Sequence, residues 1–432
     1  MYSKKVRNAL KRKGIKVGDT VEVKKDERAY IGVLMPRIDM GDRGALVIKL
    51  DNGYNVGLKY SKGMDLRLVS KRSEEAKKIK AAIGHDETKP KISILSIGGT
   101  ISSKVDYKTG GVIPRFTAED LIEDVPELAD IANIHGRQVD SLLSGNMNFG
   151  HYKKLIKEIE KEIKKGCEGI IVTHGTDTMH YTACALSFAL QDLPVPVILV
   201  GSQRSSDRAS SDGPFNLICA ARFIAGSDFG EVAVCMHATE SDDFCFIYPA
   251  CKVRKMHTSR RDAFKAVNSM PWALVSPDGR IRFFREDYMK KDRKRKLKAK
   301  ARFEEKVALL KSYPNIDPKI IDFLAKSGYK GLVLEGTGLG HVPENLHNSL
   351  KNFLKKGLAV ITSQCLSGRV NMNVYSYGRE LEELGIVCGN DMLPEAAYIK
   401  LAWLLGNFKG KDEIRTKITE NLRGEINDRS EL

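Results

Sequence analysis

Through its first seventy residues the chain alternates apolar and polar positions in short runs, the period of strands with one buried face. Gly18-Asp19 opens a strand at Thr20–Lys24, and further strands are expected at Ala29–Pro36 and Ala45–Leu50. Asp51-Asn52-Gly53 predicts a tight hairpin turn into Tyr54–Tyr60, because Asn-Gly adopts the positive φ such turns require. Five short strands in this space predict a small SH3-like or Sm-like β-barrel. The polar, lysine-rich stretch Ser70–Pro90 reads as a helix and linker.

From Lys91 the period changes. Ile92–Ile97 and Gly169–Thr173 are continuous apolar runs, as in strands buried on both faces. Between and after them fall a helix beginning at Phe116–Leu121, helices at Tyr152–Lys165, Asp177–Leu190 and Phe215–Ala225, and a strand at Pro196–Val200. A second unit follows, with strand Val307–Ser312, helix Pro318–Ser327, strand Gly331–Glu335, helix Glu344–Lys355 and strand Ala359–Thr362. Helices at Pro394–Leu405 and after Gly410 end it. Alternating strands and helices predict an α/β fold with mostly parallel sheets covered on both faces. The expected organisation is a barrel and linker at 1–85, one α/β domain at 86–289, a basic linker at 290–304, and a second α/β domain at 305–432.

Composition changes this picture in three places. The 432 residues are 42% hydrophobic and 29% charged, ordinary for a globular protein, and the apolar runs are far too short to span a bilayer. With no secretory signal in its first residues, the chain is expected in the cytoplasm. The eight cysteines form no CxxC pair, so Cys184, Cys219 and Cys235 read as reduced core thiols, and Cys245 and Cys251 as structural. The net charge of +16 favours a polyanionic partner. Much of it lies in the run Lys290–Arg302, either a solvated flexible linker or a phosphate-contacting arm. Without aromatic residues such an arm would contact the nucleic-acid backbone only.

Two segments carry candidate chemistry. Gly98-Gly99-Thr100 and His174-Gly175-Thr176-Asp177 each set a threonine just beyond a buried strand, where open α/β sheets bind ligands. A helix starting near Asp177 would offer backbone N–H groups to an oxyanion. A threonine hydroxyl needs a base, and a desolvated lysine held by a carboxylate suits that task. Spacing alone does not identify the lysine. His174 reads as a structural histidine at a strand end.

These segments, with Ser211-Asp212-Gly213-Pro214-Phe215-Asn216-Leu217, Lys255-Met256-His257-Thr258 and Asp262-Ala263-Phe264, occur in an order that resembles the bacterial-type asparaginase/glutaminase family over roughly residues 91 to 410. That resemblance implies two α/β domains of asparaginase type. It makes Thr100 the usual nucleophile and Thr176, Asp177 and Lys255 its activating triad, the order of attack being left open. Tyr107 becomes the tyrosine that closes over the first threonine, and Ser144 the serine that holds the substrate's α-carboxylate. Gly99 and Gly175 flank the substrate.

The chain departs from free-standing members of that family. Gly145 stands where they often carry a polar residue that fixes the substrate, and the barrel and basic run are additions. With the segment Glu335-Gly336-Thr337-Gly338-Leu339-Gly340-His341-Val342-Pro343 these features resemble the D-subunit family of archaeal-type glutamyl-tRNA(Gln) amidotransferases. That resemblance implies hydrolysis of glutamine and delivery of ammonia to the amidotransferase's E subunit, which activates Glu-tRNA(Gln). ATP and magnesium are expected on that partner, and no cofactor or metal in this chain. Consistent with this, no GxxxxGK[ST] loop occurs, and the glycines at 336, 338 and 340 do not fit a dinucleotide fingerprint. Self-association is implied too. A free cytoplasmic L-asparaginase and a non-catalytic RNA-binding scaffold are the alternatives.

Overall fold

The computed structural model describes residues 2–25, 28–35, 42–50, 55–61, 63–71, 86–99, 103–105, 112–114, 125–204 and 211–429. The expected turn at Asp51-Asn52-Gly53, the helix at Phe116–Leu121 and most of the Ser70–Pro90 linker lie outside them.

The N-terminal unit is a five-stranded antiparallel sheet of β1 (Thr20–Lys25), β2 (Arg28–Leu34), β3 (Ala45–Leu50), β4 (Asn55–Lys59) and β5 (Asp65–Ser70), in the order β4-β3-β2-β1-β5. Its alternating positions Val21, Val23, Leu46 and Ile48 are fully buried in a single core. The sequence did not announce helix α1 (Lys4–Arg12), which packs on this core through Val6 and Leu10. Two apolar positions four apart among cations make a weak periodic signal. Tertiary contacts hold the helix instead: the Tyr2 hydroxyl donates to Met35 O at 2.6 Å and accepts from Val47 N.

The central unit is an eight-stranded sheet. Five strands are parallel: β6 (Lys91–Gly98), β7 (Asn133–Leu142), β8 (Gly169–Thr173), β9 (Val197–Val200) and β10 (Val232–His237). Three more are antiparallel: β11 (Cys245–Pro249), β12 (Ala273–Val275) and β13 (Ile281–Phe283). The order is β13-β12-β11-β10-β9-β8-β6-β7. Successive side chains on β6 and β8 face opposite ways, so Leu95, Ile97, Ile170 and Val172 join one core while Ile92, Ile94 and Ile171 join the other. Helices α2 (Phe149–Lys164) and α3 (Met179–Ala189) cover the first face, and α4 (Gly213–Gly226) the second. Helix α2 starts three residues earlier than the apolar pattern predicts. Asn148 caps it, accepting from Gly150 N and His151 N, while His151 Nδ1 accepts from Asn148 N.

The C-terminal unit is a four-stranded parallel sheet, β14 (Val307–Lys311), β15 (Gly331–Gly336), β16 (Leu358–Ser363) and β17 (Val387–Cys388). Its helix α5 (Pro394–Asn407) packs against α3, with the rings of Trp403 and Phe188 stacked 5.7 Å apart, so this unit and one face of the central sheet share a core.

The basic run is not a free linker. Lys298–Ala299 pair with Leu190–Gln191, Asp292 N donates to Pro194 O, and Arg295 Nη1 donates to Leu193 O. The Trp403 indole donates to Lys300 O. The run satisfies its backbone on the amino-terminal side of the central sheet, and charge counting along the sequence could not foresee those bonds.

Candidate active site

The strands β6 and β8 lie side by side, with Ser96 opposite Thr173, so the loops that follow them meet at one end of the sheet. Glycines permit the approach. Gly99 has φ +88°, and a Cβ built on it would fall 2.6 Å from Gly175 N. A Cβ on Gly175 would fall 2.8 Å from Ser144 Cβ, and one on Gly201 2.7 Å from the Thr176 methyl. Gly99, Ser144, Gly175 and Thr176 therefore pack without room for another carbon. Thr100 and Tyr107 lie outside the described residues.

Thr176 is nearly buried on a single 3₁₀ turn, Thr176–Thr178, and α3 begins two residues later than expected, at Met179. Lys255 approaches from a short strand, Val253–Lys255, that pairs with Phe264–Ala266. Its Nζ lies 2.8 Å from Thr176 Oγ1 and 2.8 Å from Asp177 Oδ1. The Lys255 hydrogen bond, then its charge, holds the Asp177 carboxyl below the usual carboxylate range against an opposing effect of burial. Ser144 Oγ donates to Asp177 Oδ2 at 3.4 Å, and Thr178 Oγ1 donates to Ser144 O at 2.7 Å. Threonine hydroxyl, carboxylate and amine converge where a hydroxyl can be deprotonated.

His174 does not face that hydroxyl. Its Nδ1 donates to Gly175 O at 2.6 Å, so Nε2 accepts from Thr182 Oγ1 at 2.7 Å. Burial pushes its pKa down to about 4, and the ring is a neutral strut.

The anchoring roles of Asp212 and Glu395 were not visible in the sequence. Asp212, fully buried, accepts from Ser202 Oγ, Gln203 N and Arg204 N at 2.9 to 3.0 Å, and Asn216 Nδ2 donates to Gly201 O. The Ser211–Leu217 motif thus pins the loop that backs the Thr176 methyl. Glu395, at the start of α5, sets Oε1 3.1 Å from Arg254 Nε, beside Lys255 in the chain, and 3.9 Å from His180 Nε2. Burial pushes Glu395 up and His180 down to about 3, while Glu395 Oε2 and His180 Nδ1 are buried with no hydrogen-bond partner among the described residues. At Gly145 a Cβ would meet nothing within 4 Å, so the turn is open there. Among the described residues no cluster of three metal-ligating side chains occurs, and no helix is long and apolar enough to cross a membrane.

This fold and site define an amidohydrolase of the asparaginase class. Residues 91–289 match the asparaginase N-terminal domain family and residues 306–417 the glutaminase/asparaginase C-terminal domain family. The solved thermostable L-asparaginase from Thermococcus kodakarensis superposes with a TM-score of 0.70 at 28% identity, over 78% of this chain and 99% of that one. Residues 15–69 match the GatD N-terminal domain family. The chain belongs to the D-subunit family of glutamyl-tRNA(Gln) amidotransferases. It is 47% identical to the D subunit of that name from Pyrococcus furiosus, over 98% of this chain and 97% of the relative. It is also 47% identical to the one from Methanothermobacter thermautotrophicus, over 100% and 98%.

Proposed function

We propose that the chain is the glutaminase subunit of a multi-subunit, tRNA-dependent amidotransferase. The bridge from Lys255 Nζ to Thr176 Oγ1 and Asp177 Oδ1, in a chain so similar throughout to amidotransferase D subunits, carries this reading. Thr100, next in the chain to Gly99, attacks the side-chain amide of glutamine. Its proton passes through Thr176 to the Lys255–Asp177 pair, in which Asp177 fixes the position of the amine. The pair returns that proton to the leaving nitrogen, so ammonia departs and a threonyl ester remains, which water hydrolyses to glutamate and free Thr100. Ser144 holds the substrate's α-carboxylate, Gly99 and Gly175 flank the substrate, and Tyr107 closes over the reacting hydroxyl.

The ammonia passes to a partner, the amidotransferase's E subunit, which carries ATP and magnesium and converts Glu-tRNA(Gln) to Gln-tRNA(Gln). This chain needs no cofactor of its own. It acts in the cytoplasm and self-associates as a dimer. The test is glutamine hydrolysis by the chain alone, then with the E subunit, then with Glu-tRNA(Gln) added, where a stepwise rise is expected.

The likeness to solved asparaginases favours one second reading, a free L-asparaginase, although those structures leave about a fifth of this chain uncovered. Vigorous asparagine hydrolysis that ignores tRNA would establish it.

A further inference from the structure

The N-terminal unit carries a charge pattern that its own stability does not explain. Residues 2–18 contain seven cations, Lys4, Lys5, Arg7, Lys11, Arg12, Lys13 and Lys16, and no acidic residue, and all seven side chains are exposed. Among the described residues only Lys13 has an acidic partner, Asp65 at 3.6 Å. Lys4 and Lys5 occupy the first turn of α1, where the helix dipole disfavours positive charge. Arg7 and Lys11 stand four apart as like charges, a spacing that weakens an isolated helix. A helix selected only to plug the sheet core through Val6 and Leu10 would mix signs on its outer face.

We infer that the outer face of α1 docks the phosphate backbone of RNA, namely the transfer RNA whose charging the complex completes. The choice of RNA rests on the function proposed above, whereas the polyanion follows from the charge. A protein partner is the weaker match, because protein interfaces are depleted in lysine and centred on apolar anchors. No large apolar side chain of α1 is exposed. The other basic stretch, Lys290–Arg302, is the poorer candidate despite its density. Lys290, Arg293 and Lys298 are paired with Asp228, Glu168 and Asp192 at 2.9, 3.5 and 2.9 Å. Arg295 is spent on the carbonyls of Leu193 and Lys290. Phosphate contacts depend on charge more than on side-chain shape, so the α1 face positions RNA without reading its sequence.

The test uses the full chain with four exposed positions neutralised, Lys5→Gln, Arg7→Gln, Lys11→Gln and Arg12→Gln. Its probe is an unacylated tRNA transcript, with binding followed by fluorescence anisotropy across a salt series. Near 0.1 M salt the variant is expected to bind more weakly by on the order of a hundredfold or more, with the slope of log affinity against log salt reduced by roughly 3. An Arg7→Lys/Arg12→Lys variant keeps its binding. Wild-type affinity and slope in the neutralised variant would overturn the inference. So would a wild-type chain that binds no tRNA at low salt, or a variant that keeps tRNA but no longer binds the E subunit, which would make this face a protein interface. Glutamine hydrolysis by the wild-type chain with the E subunit and Glu-tRNA(Gln) added separates the two claims: its absence there counts against the proposed glutaminase and leaves the anisotropy result standing.

Discussion

Glu395 of the C-terminal unit sets its Oε1 3.1 Å from Arg254 Nε in the central unit, and Arg254 immediately precedes Lys255. The lysine that bridges Thr176 and Asp177 therefore sits on a strand anchored from the neighbouring domain. A shift of about an ångström at a proton-transfer geometry can cost on the order of a hundredfold in rate. Glu395→Gln keeps the shape and removes the charge, so kcat for glutamine should fall about tenfold with KM little changed. Glu395→Ala leaves the partly exposed Arg254 without its counter-charge and should lower stability by roughly 1–2 kcal/mol in urea unfolding. Unchanged kcat in both variants would disconnect this pair from Lys255.

Removing the amine itself is a harsher test. Lys255→Ala deletes the only lysine bonded to both Thr176 and Asp177 among the described residues. A positioned general base contributes about 10²–10⁴-fold, so kcat should fall by that much. Asp177→Asn, which keeps the shape but weakens the hold on the amine, should lose less. Steady-state hydrolysis of glutamine with the E subunit and Glu-tRNA(Gln) present measures both.

How much of this was legible follows from what each signal encodes. Buried strands such as Gly169–Thr173 were read to the residue, because an all-apolar run bounded by glycine and a polar turn has few other structures. The meeting of Gly99 with Gly175 followed from two strand-end glycine loops on one parallel sheet. The anchors did not: Asp212, Glu395 and His180 act through partners 8 to 215 residues away in the chain, and spacing carries no trace of such pairs. Helix α1 was missed because its apolar face is two residues wide, and the 290–302 run was half misread because its backbone and side-chain partners lie in distant segments of the chain.

Acid sensitivity should trace in part to His174. The folded protein holds this ring neutral, with a pKa near 4 against about 6.5 when unfolded. A lowered pKa means the stability is present above about 6.5 and is lost as pH falls through about 4. For this one fully buried group the loss is on the order of 3 kcal/mol. In urea unfolding at pH 7 and pH 4.5, His174→Gln should lose distinctly less stability on acidification than the parent. Equal losses would mean that another group sets the acid limb.

The two glycines beside Ser144 should respond in opposite ways. Gly175 has an ordinary negative φ, so alanine there brings no backbone strain, but its Cβ would sit 2.8 Å from Ser144 Cβ. Something must move, and the 3₁₀ turn Ser144–Asn146 is what gives way. Overpacking of this kind costs about 1–3 kcal/mol. Because Ser144 is expected to hold the α-carboxylate, KM for glutamine should rise about tenfold or more while kcat falls less. Gly145, one residue along that turn, faces open space, and a side chain there displaces nothing. Gly145→Gln should leave stability within about 0.5 kcal/mol, as for an ordinary surface change. It also places a polar group next to the serine expected to hold the α-carboxylate, so KM for free glutamine should fall and dependence on tRNA should relax. A Gly145→Gln enzyme with parental KM and parental tRNA stimulation would show that conditional recognition of glutamine is set elsewhere in the complex.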